Sequence, residues 1–143
     1  MNTRESFSPE NTFEIAKEIA EQFGHSLILL KGPMGSGKTL FSKGFAAGLG
    51  IEQKVSSPTY TIMNEYRTDD HCLYHLDLYR INSLEEVIDT GLYEILESEI
   101  PCLVEWPERV EDLNKLPHLQ VNFSLDLAKS PDYRKITWEW IGS

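Results

Sequence analysis

One glycine-rich run constrains this chain more than any other feature. Leu27-Ile28-Leu29-Leu30-Lys31 leads into Gly32-Pro33-Met34-Gly35-Ser36-Gly37-Lys38-Thr39, which fits the pattern G-x-x-x-x-G-K-[ST]. The four apolar residues before the loop read as a buried strand, and residues 40–49 after it read as a helix. Strand, glycine loop and helix in that order give the pattern a physical meaning. Glycine reaches positive φ without steric cost, so successive backbone N–H groups can turn inward on a phosphate. The helix N-terminus adds its partial positive charge at the same point. In such a loop Lys38 reaches the β- and γ-phosphates, and the Thr39 hydroxyl ligates Mg²⁺.

The rest of the chain alternates helical and strand signals. Ser8 caps a helix that begins at Pro9 and ends at Gly24, with Phe13, Ile15, Ala16, Ile19, Ala20 and Phe23 at helical spacing. The first strand is expected over residues 26–31. Residues 60–66 and 72–78 read as an antiparallel hairpin joined by Thr68-Asp69-Asp70-His71. Ser83-Leu84-Glu85-Glu86 is a capping box opening a short helix, with a second over residues 92–97. Residues 101–105 form an apolar run suited to a parallel strand covered on both faces. Residues 119–126 and 134–140 alternate as a terminal strand pair. The expected architecture is one α/β domain over residues 1–143, a phosphate-loop NTPase-like three-layer sandwich. Its small, mostly parallel sheet carries antiparallel edge strands.

Bulk properties narrow the function. The 143 residues carry a formal net charge of −10. Such a chain is not expected to bind nucleic acid unaided, because phosphate contacts need a basic surface. No apolar stretch reaches membrane-spanning length, and the first residues lack a signal-peptide core. Cys72 and Cys102 lie in apolar, strand-like runs and are expected to be a reduced, buried pair in a cytoplasmic protein.

A phosphate loop needs a further carboxylate to hold Mg²⁺, directly or through water. Glu105 and Asp77 both end apolar strand runs, and strand carboxyl ends gather at one crevice in a parallel α/β sheet. Either can also be a plain polar strand end. Thr59 is a candidate switch threonine, or an ordinary turn residue. His75 shares a strand face with Asp77 and reads as a core histidine before a catalytic one. Arg80 and Arg109 are candidate phosphate-stabilising cations, or solvated surface arginines.

Val55-Ser56-Ser57-Pro58-Thr59-Tyr60-Thr61, Tyr74-His75-Leu76-Asp77-Leu78-Tyr79-Arg80 and Val104-Glu105-Trp106-Pro107-Glu108 follow the loop in that order. Together with the loop they resemble the TsaE (YjeE) family, the bacterial ATPases needed to make threonylcarbamoyladenosine in tRNA. The resemblance runs from about Pro9 to about Pro117. It implies that Lys38 and the backbone of Met34, Gly35, Ser36, Gly37 and Thr39 bind the phosphates of ATP or ADP. It implies Mg²⁺ on Thr39 and Glu105, Asp77 close by, and a switch-like loop at Ser57-Pro58-Thr59. Thr12 and Arg134 match family positions near the nucleotide. The chain departs from the family at Pro33-Met34, where Asp-Leu is usual. The implied partner is a TsaB–TsaD heterodimer. TsaD transfers a threonylcarbamoyl group to the adenosine beside the anticodon, while the ATPase resets the complex between turnovers. The acidic charge suits that arrangement, with tRNA meeting only the partners.

Other functions fit less well. A GTPase needs N-K-x-D for guanine, whereas Asn114-Lys115-Leu116-Pro117 lacks the Asp, and Asp77 opens no D-x-x-G. A small-molecule phosphotransferase is the stronger rival, although its lid usually supplies several arginines and few basic residues follow the loop here. A nucleotide-dependent interaction module without catalysis is the third reading.

Overall fold

Local signals account for most elements. The computed structural model describes residues 1–51 and 63–142. Its first strand, β1 (Asn2–Ser6), precedes α1 (Pro9–Phe23). The Ser8 hydroxyl accepts the Asn11 N–H and Pro9 fills the first helical position, so α1 starts as the sequence dictates. β2 (Leu27–Lys31) then delivers the glycine loop to α2 (Lys38–Gly48). The hairpin comprises β3 (Met63–Arg67) and β4 (Cys72–Asp77), closed by a Thr68 N–H to His71 carbonyl bond of 2.8 Å. α3 (Leu84–Asp89) and α4 (Leu92–Glu97) lead to β5 (Cys102–Glu105), two short 3₁₀ turns, and the final pair β6 (His118–Leu125) and β7 (Arg134–Ile141).

Among the described residues seven strands form one sheet in the order β1-β7-β6-β2-β5-β4-β3. Its centre, β6-β2-β5-β4, is parallel, and β3, β7 and β1 pair antiparallel outside it. This is the expected α/β sandwich with antiparallel strands outside a parallel centre, and the sheet is mixed, with three parallel and three antiparallel pairings among the described residues. Two details differ from the sequence reading. β1 was not anticipated, because Asn2-Thr3-Arg4-Glu5-Ser6 is polar; it forms by pairing with β7 at the sheet edge. Of the terminal pair, β6 is a member of the parallel centre beside β2, and β7 alone is an added antiparallel strand.

Alternation along the strands divides the core in two. One face packs Ile28, Leu30, Leu73, Leu103, Leu119 and Val121 against Ile15, Ile19, Phe41 and Phe45 of α1 and α2. The other packs Leu29, Leu76, Leu78, Cys102 and Val104 against Val87 and Leu92 of α3 and α4. Each fully buried side chain of this kind contributes about 1.5–3 kcal/mol relative to exposure. The cysteines are free thiols, and burial raises the pKa of both. They are not an equally buried pair: Cys102 is enclosed, whereas Cys72, next to the turn, is half-exposed.

α1 and α2 approach closely because Gly44 and Gly48 lack side chains. A Cβ on Gly44 would lie 2.3 Å from the Phe13 carbonyl oxygen and 2.9 Å from the Ala16 Cβ. Gly44→Ala is therefore expected to destabilise the fold by about 1–3 kcal/mol, overriding the better helix propensity of alanine. Urea denaturation checks this, and a mutant as stable as the parent would contradict the packing described.

Candidate functional site

β2 ends at Lys31 and the chain turns through the loop. Gly35 and Gly37 have φ of +79° and +98°. Added side chains there would meet nothing closer than 4.0 Å, so the backbone conformation, and not crowding, calls for glycine. Gly32 is the reverse case: its Cβ would lie 2.9 Å from both the Phe123 Cβ and the Ser36 Oγ. Gly37 occupies the N-cap of α2 with no side-chain cap, which leaves the first N–H groups of that helix for an incoming acceptor. Ser36 is buried, and its Oγ has no hydrogen-bond partner among the described residues.

Lys38 begins α2 and is nearly enclosed. Its Nζ donates to the Gly32 carbonyl at 2.9 Å and lies 3.7 Å above the centre of the Trp106 ring. Burial pulls its pKa below the ordinary lysine value, against the opposing pull of Glu105, Glu108 and Asp77. Glu105 and Asp77 stand beside Lys38 because of strand register, and Glu108 lies in the 3₁₀ turn after β5. Leu30 pairs with Glu105 between β2 and β5, and Asp77 pairs with Glu105 between β4 and β5. Odd-numbered residues on β4 and β5 face the α1–α2 layer, so His75, Asp77 and Glu105 share one face with the start of α2. Asp77 Oδ1 accepts the Tyr79 N–H at 2.9 Å. Glu105 is 4% exposed, and its Oε2 lies 2.6 Å from His75 Nε2.

The remaining candidates surround the loop. Arg134, at the start of β7, donates from Nε to the Ser36 carbonyl at 3.0 Å and from Nη2 to the Gly35 carbonyl at 3.1 Å. Its Nη1 donates to the carbonyls of Pro131 and Tyr133. The side chain thus holds the loop by two of its carbonyl oxygens. Thr12 is buried in α1, its hydroxyl 2.6 Å from Ser6 Oγ and its methyl group facing Gly37. Met34 is 67% exposed at the loop tip. Thr39 follows Lys38 in the first turn of α2. Thr59 and the rest of Ser57-Pro58-Thr59 lie outside the described residues. Arg80 is exposed, and the Arg109 guanidinium packs 5.3 Å from the Tyr79 ring.

Sequence reasoning missed the aromatic floor. Trp106 takes φ +58°, rare for a bulky residue and a source of strain of order 1–3 kcal/mol. That conformation ends β5 abruptly and lays the indole beneath Lys38, with Tyr79 packed on it at 5.0 Å. An aromatic directly after a strand-ending carboxylate was the available signal. A separate cleft of about 530 Å³ opens at the opposite end of the strands, lined by Gly24, His25, His71 and Pro101 among others.

A glycine loop between a central parallel strand and a helix, with strand-end carboxylates converging on it, defines the phosphate-loop class of α/β domains. Within that class the chain belongs to the TsaE family: the profile described as "Threonylcarbamoyl adenosine biosynthesis protein TsaE" matches residues 6–136. The tRNA threonylcarbamoyladenosine biosynthesis protein TsaE of Bacillus subtilis is 40% identical over 138 residues, covering 95% of this chain and 84% of that protein. The TsaE protein of Synechocystis is 43% identical over 119 residues, covering 78% and 75% respectively. The crystal structure of Bacillus subtilis YdiB matches 99% of this chain and 86% of that one, with a TM-score of 0.74 and 33% identity. Among the described residues, no helix is long and apolar enough to cross a membrane.

The Arg134 contacts carry a prediction about the loop itself. Arg134→Ala removes both bonds to the loop carbonyls. Backbone order parameters at Gly35 and Ser36 are expected to fall from about 0.85 to below about 0.6 on the nanosecond timescale. Arg134→Lys restores little, because one ammonium cannot reproduce the guanidinium fork. NMR relaxation checks this, and unchanged order parameters in Arg134→Ala would show that the loop holds its own shape.

Proposed function

We propose that this chain is a Mg²⁺-dependent ATPase that supports a TsaB–TsaD heterodimer during threonylcarbamoyladenosine modification of tRNA. The observation carrying this reading is the convergence of Lys38, Asp77 and Glu105 on the uncapped N-terminus of α2. Membership of the TsaE family supplies the pathway.

The donor chemistry fits Mg²⁺. Two carboxylates and the Thr39 hydroxyl are hard oxygen donors, and Mg²⁺ completes its shell with water and substrate phosphates. Among the described residues no group of three or more His, Cys, Asp or Glu side chains could hold a metal. Bound Mg²⁺ supplies charge neutralisation on the phosphates.

The chain's own residues do the rest. The loop N–H groups and the start of α2 hold the phosphates. Lys38 leaves the Gly32 carbonyl and the indole face to donate to the β- and γ-phosphate oxygens. Thr39 and Glu105 would hold the cation, with Asp77 beside them. Arg134 and Thr12 keep the loop in place beside the nucleotide. Thr59 senses the γ-phosphate and couples it to the partners. With a net charge of −10, the chain leaves tRNA contact to the heterodimer.

Steady-state ATP turnover is expected to be slow for the chain alone and stimulated by the heterodimer. Lys38→Ala is expected to lower turnover about a hundred- to a thousand-fold in either setting, since one preorganised donor to developing charge is worth that much. Turnover that is rapid alone, unchanged by the partners and retained in Lys38→Ala would overturn the proposal. Rapid Lys38-dependent turnover indifferent to the partners would instead favour the small-molecule phosphotransferase.

A further inference from the structure

We infer that His75 is a positioning residue for Glu105: its Nε2–H donates to one carboxylate oxygen and holds the side chain toward the phosphate loop, out of an ion pair with Lys38. The inference rests on the assignment of Glu105 to the cation in the proposed function.

His75 has no solvent exposure, and Nε2 lies 2.6 Å from Glu105 Oε2. A third group identifies the donor. Ser42 Oγ is 3.5 Å from the same nitrogen, and its single proton goes to the Lys38 carbonyl at 2.9 Å. Toward His75 the Ser42 hydroxyl can therefore only accept. Both neighbours of Nε2 are acceptors, so Nε2 carries the proton. Among the described residues His75 Nδ1 is buried without a partner, and the hydrogen bonds of this ring there run through Nε2. An apolar residue would fill this space without leaving an unpartnered nitrogen, and such replacements are often neutral or stabilising where a buried polar group only packs. What the imidazole adds is the bond to Glu105.

The bond matters because Lys38 is the natural competitor. Glu105 is the carboxylate whose charge acts most strongly on Lys38, yet the Lys38 Nζ contacts the Gly32 carbonyl and the Trp106 ring, and among the described residues the ion pairs include none between Lys38 and Glu105. Committing Oε2 to His75 leaves Oε1 for the crevice and Lys38 for phosphate. A metal-ligating carboxylate is usually held in this way, and loss of the holding group typically costs about ten- to a hundred-fold in metal affinity.

The test compares ADP binding by calorimetry with and without Mg²⁺ in the full chain and in His75→Phe, His75→Gln and Glu105→Ala. In His75→Phe the Mg²⁺ enhancement of ADP affinity is expected to fall about ten- to a hundred-fold, with Mg²⁺-free ADP affinity little changed. His75→Gln, which keeps an N–H at comparable reach, is expected to recover most of it. A full Mg²⁺ effect in His75→Phe, or no recovery in His75→Gln, overturns the inference. Glu105→Ala separates the two levels. If it loses the Mg²⁺ effect while His75→Phe keeps it, only the link through His75 fails. If Glu105→Ala keeps the effect, the assignment of Glu105 to the cation fails, and the inference with it. Nitrogen-15 NMR of histidine in the nucleotide-free parent reads the bond without any variant or metal. Protonation at Nε2 is expected, and a ring protonated only at Nδ1 overturns the inference even if a variant fails to fold.

Discussion

The parallel pairing of β5 with both β2 and β4 is the constraint on which the candidate site depends. Leu30 and Asp77 both stand in register with Glu105. Parallel strands bring their carboxyl ends to one side of the sheet, so the glycine loop after β2, the carboxylate at the end of β4 and the carboxylate at the end of β5 meet at one crevice. A one-residue slip of β5 would turn Glu105 to the α3–α4 face and bring Val104 to Lys38. Register is held by burial on both faces: Cys102, Leu103, Val104 and Glu105 are all buried.

That crevice is tensioned. Lys38 is drawn out of water by the fold and steadied by a carbonyl, an indole ring and the field of three carboxylates. Trp106 takes a left-handed conformation to provide the ring. Arg134 uses all three guanidinium nitrogens on backbone oxygens, two of them in the loop. The buried lysine and the left-handed tryptophan each cost stability alone. Together they leave a set of N–H groups and one cation turned toward the same point, which suits a polyanion.

Much of this was legible in the sequence because it depends on local rules. Ser8-Pro9, the glycine loop, Ser83 with Glu86, and the short apolar run before Glu105 each fix their element through capping, φ preference or periodicity. What stayed hidden depends on pairing across the chain. β1 is polar and becomes a strand only beside β7. β6 joins the parallel centre because the connection from β5 returns it beside β2, a choice its alternation does not encode. At the site, Asp77 and Glu105 were readable as strand ends. The link from His75 to Glu105 and the indole beneath Lys38 needed the register and one unusual φ. His75 is a buried histidine, as its place in an apolar strand suggested, and its polar contact is with the very carboxylate singled out for the cation.

The most direct measurement of this account is the position of the cation. Mn²⁺ replaces Mg²⁺ in the complex with ADP, and paramagnetic broadening of backbone NMR signals reports its neighbours. The strongest broadening is expected at Lys38 and Thr39, at Asp77 and at Glu105, on the carboxyl side of the sheet. Broadening centred instead at Gly24, His71 and Pro101, around the cleft at the opposite end, would contradict it.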